Sequence, residues 1–178
     1  MESCFVEFEP KDDQALDRLK GFLERVMRAK KNDEFDEAGL IGFLSDVERA
    51  YFWAPTPDEM REWNDDWFST PVEVRLSAAM PTPGWTLDSM VSALWEGDYE
   101  IRGVVESDAR YLLAFEPHGY PYGGTGSLVA LVECFGHNVI GVDDGAGYAP
   151  YRPRANLWLP KEKRAKEHWL ARILRWKS

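Results

Sequence analysis

Apolar residues recur at three- and four-residue intervals through the first half of the chain and give way to short β-rich runs in the second. Leu16, Leu19, Leu23, Val26 and Met27 form one stripe, which predicts a helix from Pro10 to about Lys31. Asp12 and Asp13 fall in its first turn and Lys30 and Lys31 in its last, the signs that suit a helix macrodipole. A short strand is expected just before it, over Cys4 to Phe8. Asp36 can cap a second helix with the stripe Leu40, Leu44, Val47 and Tyr51. Gly39 and Gly42 each weaken that helix by about 1 kcal/mol relative to alanine.

Thr56-Pro57-Asp58-Glu59 carries a capping box with proline at the first helical position, so a third helix starts there with Met60, Trp63 and Trp67 on one side. Thr70-Pro71-Val72-Glu73 repeats the signal over a short helix. Pro81, Pro83 and Gly84 stop the pattern and mark an internal boundary inside what length alone reads as a single domain, residues 1–178. Thr86 caps the next helix, which reaches Trp95. Tyr99 to Glu106 and Arg110 to Glu116 read as a hairpin through Ser107-Asp108-Ala109. A helix over Leu128 to Phe135 and a strand at Val139, Ile140 and Val142 follow. A basic amphipathic helix from Pro160 to Trp176, with Trp169, Ile173 and Trp176 inward, closes the chain. The expected fold is α+β: a helical N-terminal half, a small mostly antiparallel β-β-α-β sheet and a C-terminal amphipathic helix.

Composition narrows the function classes. At 178 residues, 44% hydrophobic and 29% charged, the chain can bury a core without metals or disulfides. Its formal net charge of −10 argues against a nucleic-acid binder, whose phosphate contacts need a positive surface. Cys4 and Cys134 are too few for a disulfide scaffold and suit a reduced, cytoplasmic setting. Met1 to Lys11 has neither the basic nor the apolar region of a signal peptide. The apolar run Leu128 to Phe135 is far too short to span a bilayer, so no membrane association is expected. Charge is uneven: residues 32–66 hold 11 acidic and 2 basic side chains, whereas residues 151–178 hold 9 basic and 2 acidic. Either the basic segment docks on its own acidic body, or one of the two is offered to a partner.

The one locally unusual segment runs from Glu116 to Ser127 and includes Gly123, Gly124 and Gly126. Glycines ahead of a helix invite an anion-binding reading, yet neither GxxxxGK[ST] nor GxGxxG is present, and no lysine or arginine lies between Arg110 and Arg152. The structural reading is a strand-to-helix turn with Thr125 or Ser127 near the cap. Glu116, His118, Gly124, Thr125, Ser127, Asp143 and Asp144 are the ligand-binding candidates, on the expectation that His118 and the carboxylates meet at one sheet edge. Asp143-Asp144-Gly145 lacks calcium-loop spacing and reads as a turn, and His137 reads as a helix-end cap. No catalytic residue, metal ligand or cofactor motif is assigned. The leading expectation is a small acidic cytoplasmic protein, binding or inhibiting a basic protein partner in the manner of an immunity protein through an acidic, aromatic surface. The alternative is a small-ligand binder or enzyme centred on the Gly-rich loop and its nearby carboxylates.

Overall fold

In the computed structural model, which describes residues 4–77, 80–108, 110–118, 125–153, 157–161 and 163, Cys4–Glu9 forms a strand, β1. Cys4, Val6 and Phe8 face inward, and Val6 and Phe8 are fully buried, while Phe5 and Glu7 on the other face are half-buried. β1 is the centre of a five-stranded, wholly antiparallel sheet of order β2-β3-β1-β4-β5. The strands are β2 (Tyr99–Ser107), β3 (Arg110–Pro117), β4 (Asn138–Asp143) and β5 (Tyr148–Pro150). The strand expected over Cys4 to Phe8 is formed, and the β-β-α-β expectation needs correction in two respects: this strand lies inside the sheet, and a further strand, β5, follows β4. A terminal six-residue run supplies the middle strand, because its partners on β3 lie about a hundred residues away and leave no local trace. The short β5 was not anticipated.

The β2–β3 hairpin is as tight as expected, with Ser107 opposite Arg110 and Asp108 at φ 46°. A register shift between Ile101 and Gly103 bends β2, and Gly103 takes φ +104°, a conformation that a Cβ would penalise.

The chain divides into two compact units, residues 1–53 with 85–153 and residues 54–84 with 154–178. In the first unit the helices α1 (Asp13–Asn32), α6 (Leu87–Glu96) and α7 (Gly126–Cys134) share one core with the sheet. α1 begins three residues after Pro10 because Asp12 acts as its N-cap, accepting from the Ala15 N–H at 2.7 Å. Leu16, Leu19, Phe22, Leu23 and Val26 form its buried stripe. α7 is buried nearly all round, which explains why its sequence lacks an amphipathic period.

The second helix of the sequence reading is two helices. α2 (Glu37–Phe43) stops at Leu44, which turns extended, and Ser45 opens α3 (Asp46–Arg49) with its own capping box to Glu48. Val47 is 81% exposed and Tyr51 43%, so the stripe stops at Leu44. The restart signal is Ser45-x-x-Glu48, which outweighs a pattern already weakened by two glycines.

The second unit contains α4 (Pro57–Ser69) and α5 (Val72–Arg75). α4 has the expected Thr56/Glu59 capping box. Trp63 packs against Trp67 and Trp158, each at 5.5 Å between ring centroids. The Trp158 indole N–H donates to Asp66 at 2.9 Å, which satisfies the polar edge of a buried ring. The Trp158 main-chain N–H donates to the Thr82 carbonyl, and Leu157 bridges Thr82 in parallel. The helix expected over 160–176 lies outside the described residues except at Pro160, Lys161 and Lys163.

Candidate functional site

Within the first unit, the C-terminal half of α1 runs beside the start of β2 and leaves a cavity of about 730 Å³ between them. Arg28, Lys30 and Lys31 enter it from α1, Asp98 from the α6–β2 connection, Tyr99 and Ile101 from β2, and His118 from just beyond β3. His118 is exposed and held by its main chain, whose N–H donates to the Asp98 carbonyl at 2.9 Å.

Lys30 is the best-positioned cation. Its Nζ donates to the Leu94 carbonyl at 3.0 Å and the Gly97 carbonyl at 2.8 Å, and it stands 4.8 Å from the centre of the Tyr99 ring. It thus caps the carbonyl end of α6 rather than only its own helix. Burial pushes its ammonium below the usual lysine value, and Asp98 opposes that shift.

The sequence-predicted site residues come from the end of β3, the start of α7 and the turn after β4. Glu116 and His118 lie at the end of β3. Arg102 bridges Glu116 and Glu100, and its hydrogen bond holds the Glu116 carboxyl below the ordinary carboxylate value. Thr125 and Ser127 lie at the start of α7, but neither supplies the expected cap: Thr125 makes no side-chain cap bond, and Ser127 is fully buried, on the side of the Tyr99 hydroxyl. Gly124 lies outside the described residues. Asp143 and Asp144 bond back into their own turn, accepting from the N–H groups of Gly145 at 2.9 Å and Ala146 at 3.1 Å. That turn follows β4 at the same end of the sheet as Glu116 and His118, with the start of β1 between them: Cys4 pairs with Phe115 and Phe5 with Asp143. Among the described residues no group of three or more His, Cys, Asp or Glu side chains could hold a metal ion.

His137 is not an exposed helix cap. It is 4% exposed, stacks on Phe8 at 5.1 Å, and its Nδ1 accepts from the Lys11 N–H at 3.1 Å. Burial pushes its pKa below the usual histidine value, against the pull of the Ala15 backbone and Asp12. A ring that accepts through Nδ1 inside the core is neutral, so the imidazolium expected from the helix dipole is overruled by desolvation.

Sequence reasoning missed Arg28, Lys30 and Lys31 as site residues, having assigned the two lysines to the α1 dipole. The available signal was their density: residues 28–31 hold three cations next to the acidic stretch that begins at Asp33.

A different feature marks the second unit. The end of α4, α5 and the residue that follows it carry Phe68, Val72, Val74 and Leu76 at 75%, 49%, 42% and 82% exposure. Asp65 and Glu73 are exposed among them. On the inner side, Glu59 pairs with Lys163 at 3.1 Å and Glu62 accepts from the Lys161 N–H at 2.8 Å. Part of the acidic stretch is therefore answered by the chain's own basic segment.

Comparison with protein-family models, with curated proteins and with solved structures gave no match for this chain. Among the described residues, no helix is long and apolar enough to cross a membrane.

Proposed function

We propose that this is a protein-binding module of the inhibitory, immunity-like kind, which engages a basic partner through an acidic surface set with large apolar side chains. One observation carries the reading: between residues 68 and 76, Phe68, Val72, Val74 and Leu76 stand exposed beside Asp65 and Glu73. Single exposed hydrophobics are ordinary on a protein surface, whereas four in so short a segment are the composition of an interface core with a charged rim. Residues 32–66 carry a net charge of −9, which favours fast encounter with a cationic protein. The apolar group would then set how long the complex lasts.

The test compares the wild type with the double variant Phe68→Ser, Leu76→Ser as baits in extract of the native cell, over a salt series. A basic protein should be retained by the wild type, released as salt rises, and lost from the variant at every salt concentration. Both positions are mostly solvent-exposed, so the variant should melt with the wild type. Identical capture by both baits, or a complex indifferent to salt, would remove the reading.

A further inference from the structure

We propose that the cavity between α1 and the start of β2 binds a small organic phosphomonoester, its phosphate held by Arg28, Lys30 and Lys31 and its organic body against Met27 and Ile101. The charge balance inside the cavity differs from that of the whole molecule. Of its two carboxylates, Glu100 is answered by Arg102 at 2.9 Å, which leaves Asp98 alone against three cations of α1. Arg28 and Lys31 are exposed, and their side chains make no hydrogen bond or ion pair among the described residues. Lys30 spends two of its ammonium protons on the Leu94 and Gly97 carbonyls, leaving a third for a ligand. A guanidinium fork with two ammonium groups matches a dianion with three terminal oxygens better than it matches a carboxylate.

The ligand must also have a body. A cavity of about 730 Å³ is far larger than inorganic phosphate requires and lies within the usual range for small-molecule sites. Met27 and Ile101 give it apolar walls, and His118 at its margin adds a donor or acceptor for a hydroxyl. A nucleoside monophosphate has this size and chemistry. Of the ligand-binding candidates read from sequence the site includes only His118, and it lies in the first unit, whereas the exposed apolar group lies in the second.

Isothermal titration of the full chain with each of the four nucleoside 5′-monophosphates tests the assignment, with the matching nucleosides and inorganic phosphate as controls. At least one monophosphate should bind at least tenfold tighter than its nucleoside and than inorganic phosphate. Arg28→Gln and Lys31→Gln should each weaken it by about tenfold, as loss of a charge-assisted contact does. Lys20→Gln, which removes the same charge from α1 outside the cavity, should leave affinity unchanged. Absence of heat with all four esters would overturn the proposal. So would inorganic phosphate binding as tightly as the esters, or affinity unmoved by the Arg28 and Lys31 substitutions in variants that melt with the wild type.

Discussion

Among the described residues Glu48 is the charged side chain most deeply committed to the fold, and its replacement gives a sharp test of how α1 is tied to the α2–α3 bend. Its two oxygens accept from Arg18 Nε at 2.7 Å and Nη2 at 2.6 Å, and Oε2 also accepts from the Ser45 N–H at 2.7 Å. Arg18 Nη2 reaches the Phe43 carbonyl at 3.0 Å, the end of α2. One carboxylate therefore completes the capping box of α3 and clamps α1 to the bend. The Glu48 side chain is 9% exposed and that of Arg18 35%, so removing the carboxylate strands a cation that water can partly reach. Breaking a fully buried pair costs about 3–5 kcal/mol. Partial hydration of Arg18 lowers that, while loss of the cap adds about 1 kcal/mol. Glu48→Ala should therefore lose about 3 kcal/mol in urea unfolding. Arg18→Met should lose less, about 2 kcal/mol, because Glu48 keeps its Ser45 bonds. The double variant should fall well short of the sum, with a coupling of about 1.5 kcal/mol. A coupling below about 0.5 kcal/mol would show that the pair is a surface contact and refute the clamp. The same clamp has an acid limit. Burial opposes ionisation of Glu48, but its bonds from Arg18 and Ser45 win and hold its carboxyl below the ordinary value. Its stabilisation is thus complete above the ordinary carboxylate pKa and is lost as pH falls through the lowered one.

Two further perturbations probe the sheet. His137 is neutral in the core with a lowered pKa, so its contribution is complete above the ordinary histidine value of about 6.5 and falls as pH drops below it. His137→Asn, which keeps an acceptor for Lys11, should flatten the stability profile below the ordinary histidine value; an unchanged slope there would place the acid sensitivity elsewhere. Gly141, opposite Glu7, is overlaid by the Tyr148 ring, whose hydroxyl donates to Glu7 while Arg110 holds the other oxygen at 3.0 Å. A methyl at Gly141 displaces that ring, so Gly141→Ala should cost about 1 kcal/mol in the wild type and almost nothing in a Tyr148→Ala background. Equal costs in the two backgrounds would mean that the ring does not depend on the glycine.

Features written in contiguous residues were legible before any packing. The stripe from Leu16 to Val26, the Thr56/Glu59 and Thr86 caps, the hairpin at Asp108 and the self-bonded Asp143-Asp144 turn are all formed, because each depends on neighbours a few positions away. Tertiary structure alone decided which of those elements met. It made Cys4–Glu9 the middle strand, since pairing with β3 and β4 buries both its edges and no local signal encodes that. It drew His137 into the core against the helix dipole, because Phe8 and Lys11 approach from the far end of the chain. It also set the β3 end and the Asp143 turn at the same end of the sheet with β1 between them, and gathered the α1 cations around a cavity. Spacing along a chain fixes which side of a helix or strand a residue occupies, whereas a site needs residues from several elements to coincide. That coincidence follows from which apolar faces bury one another, a property of the packed molecule and not of any one segment.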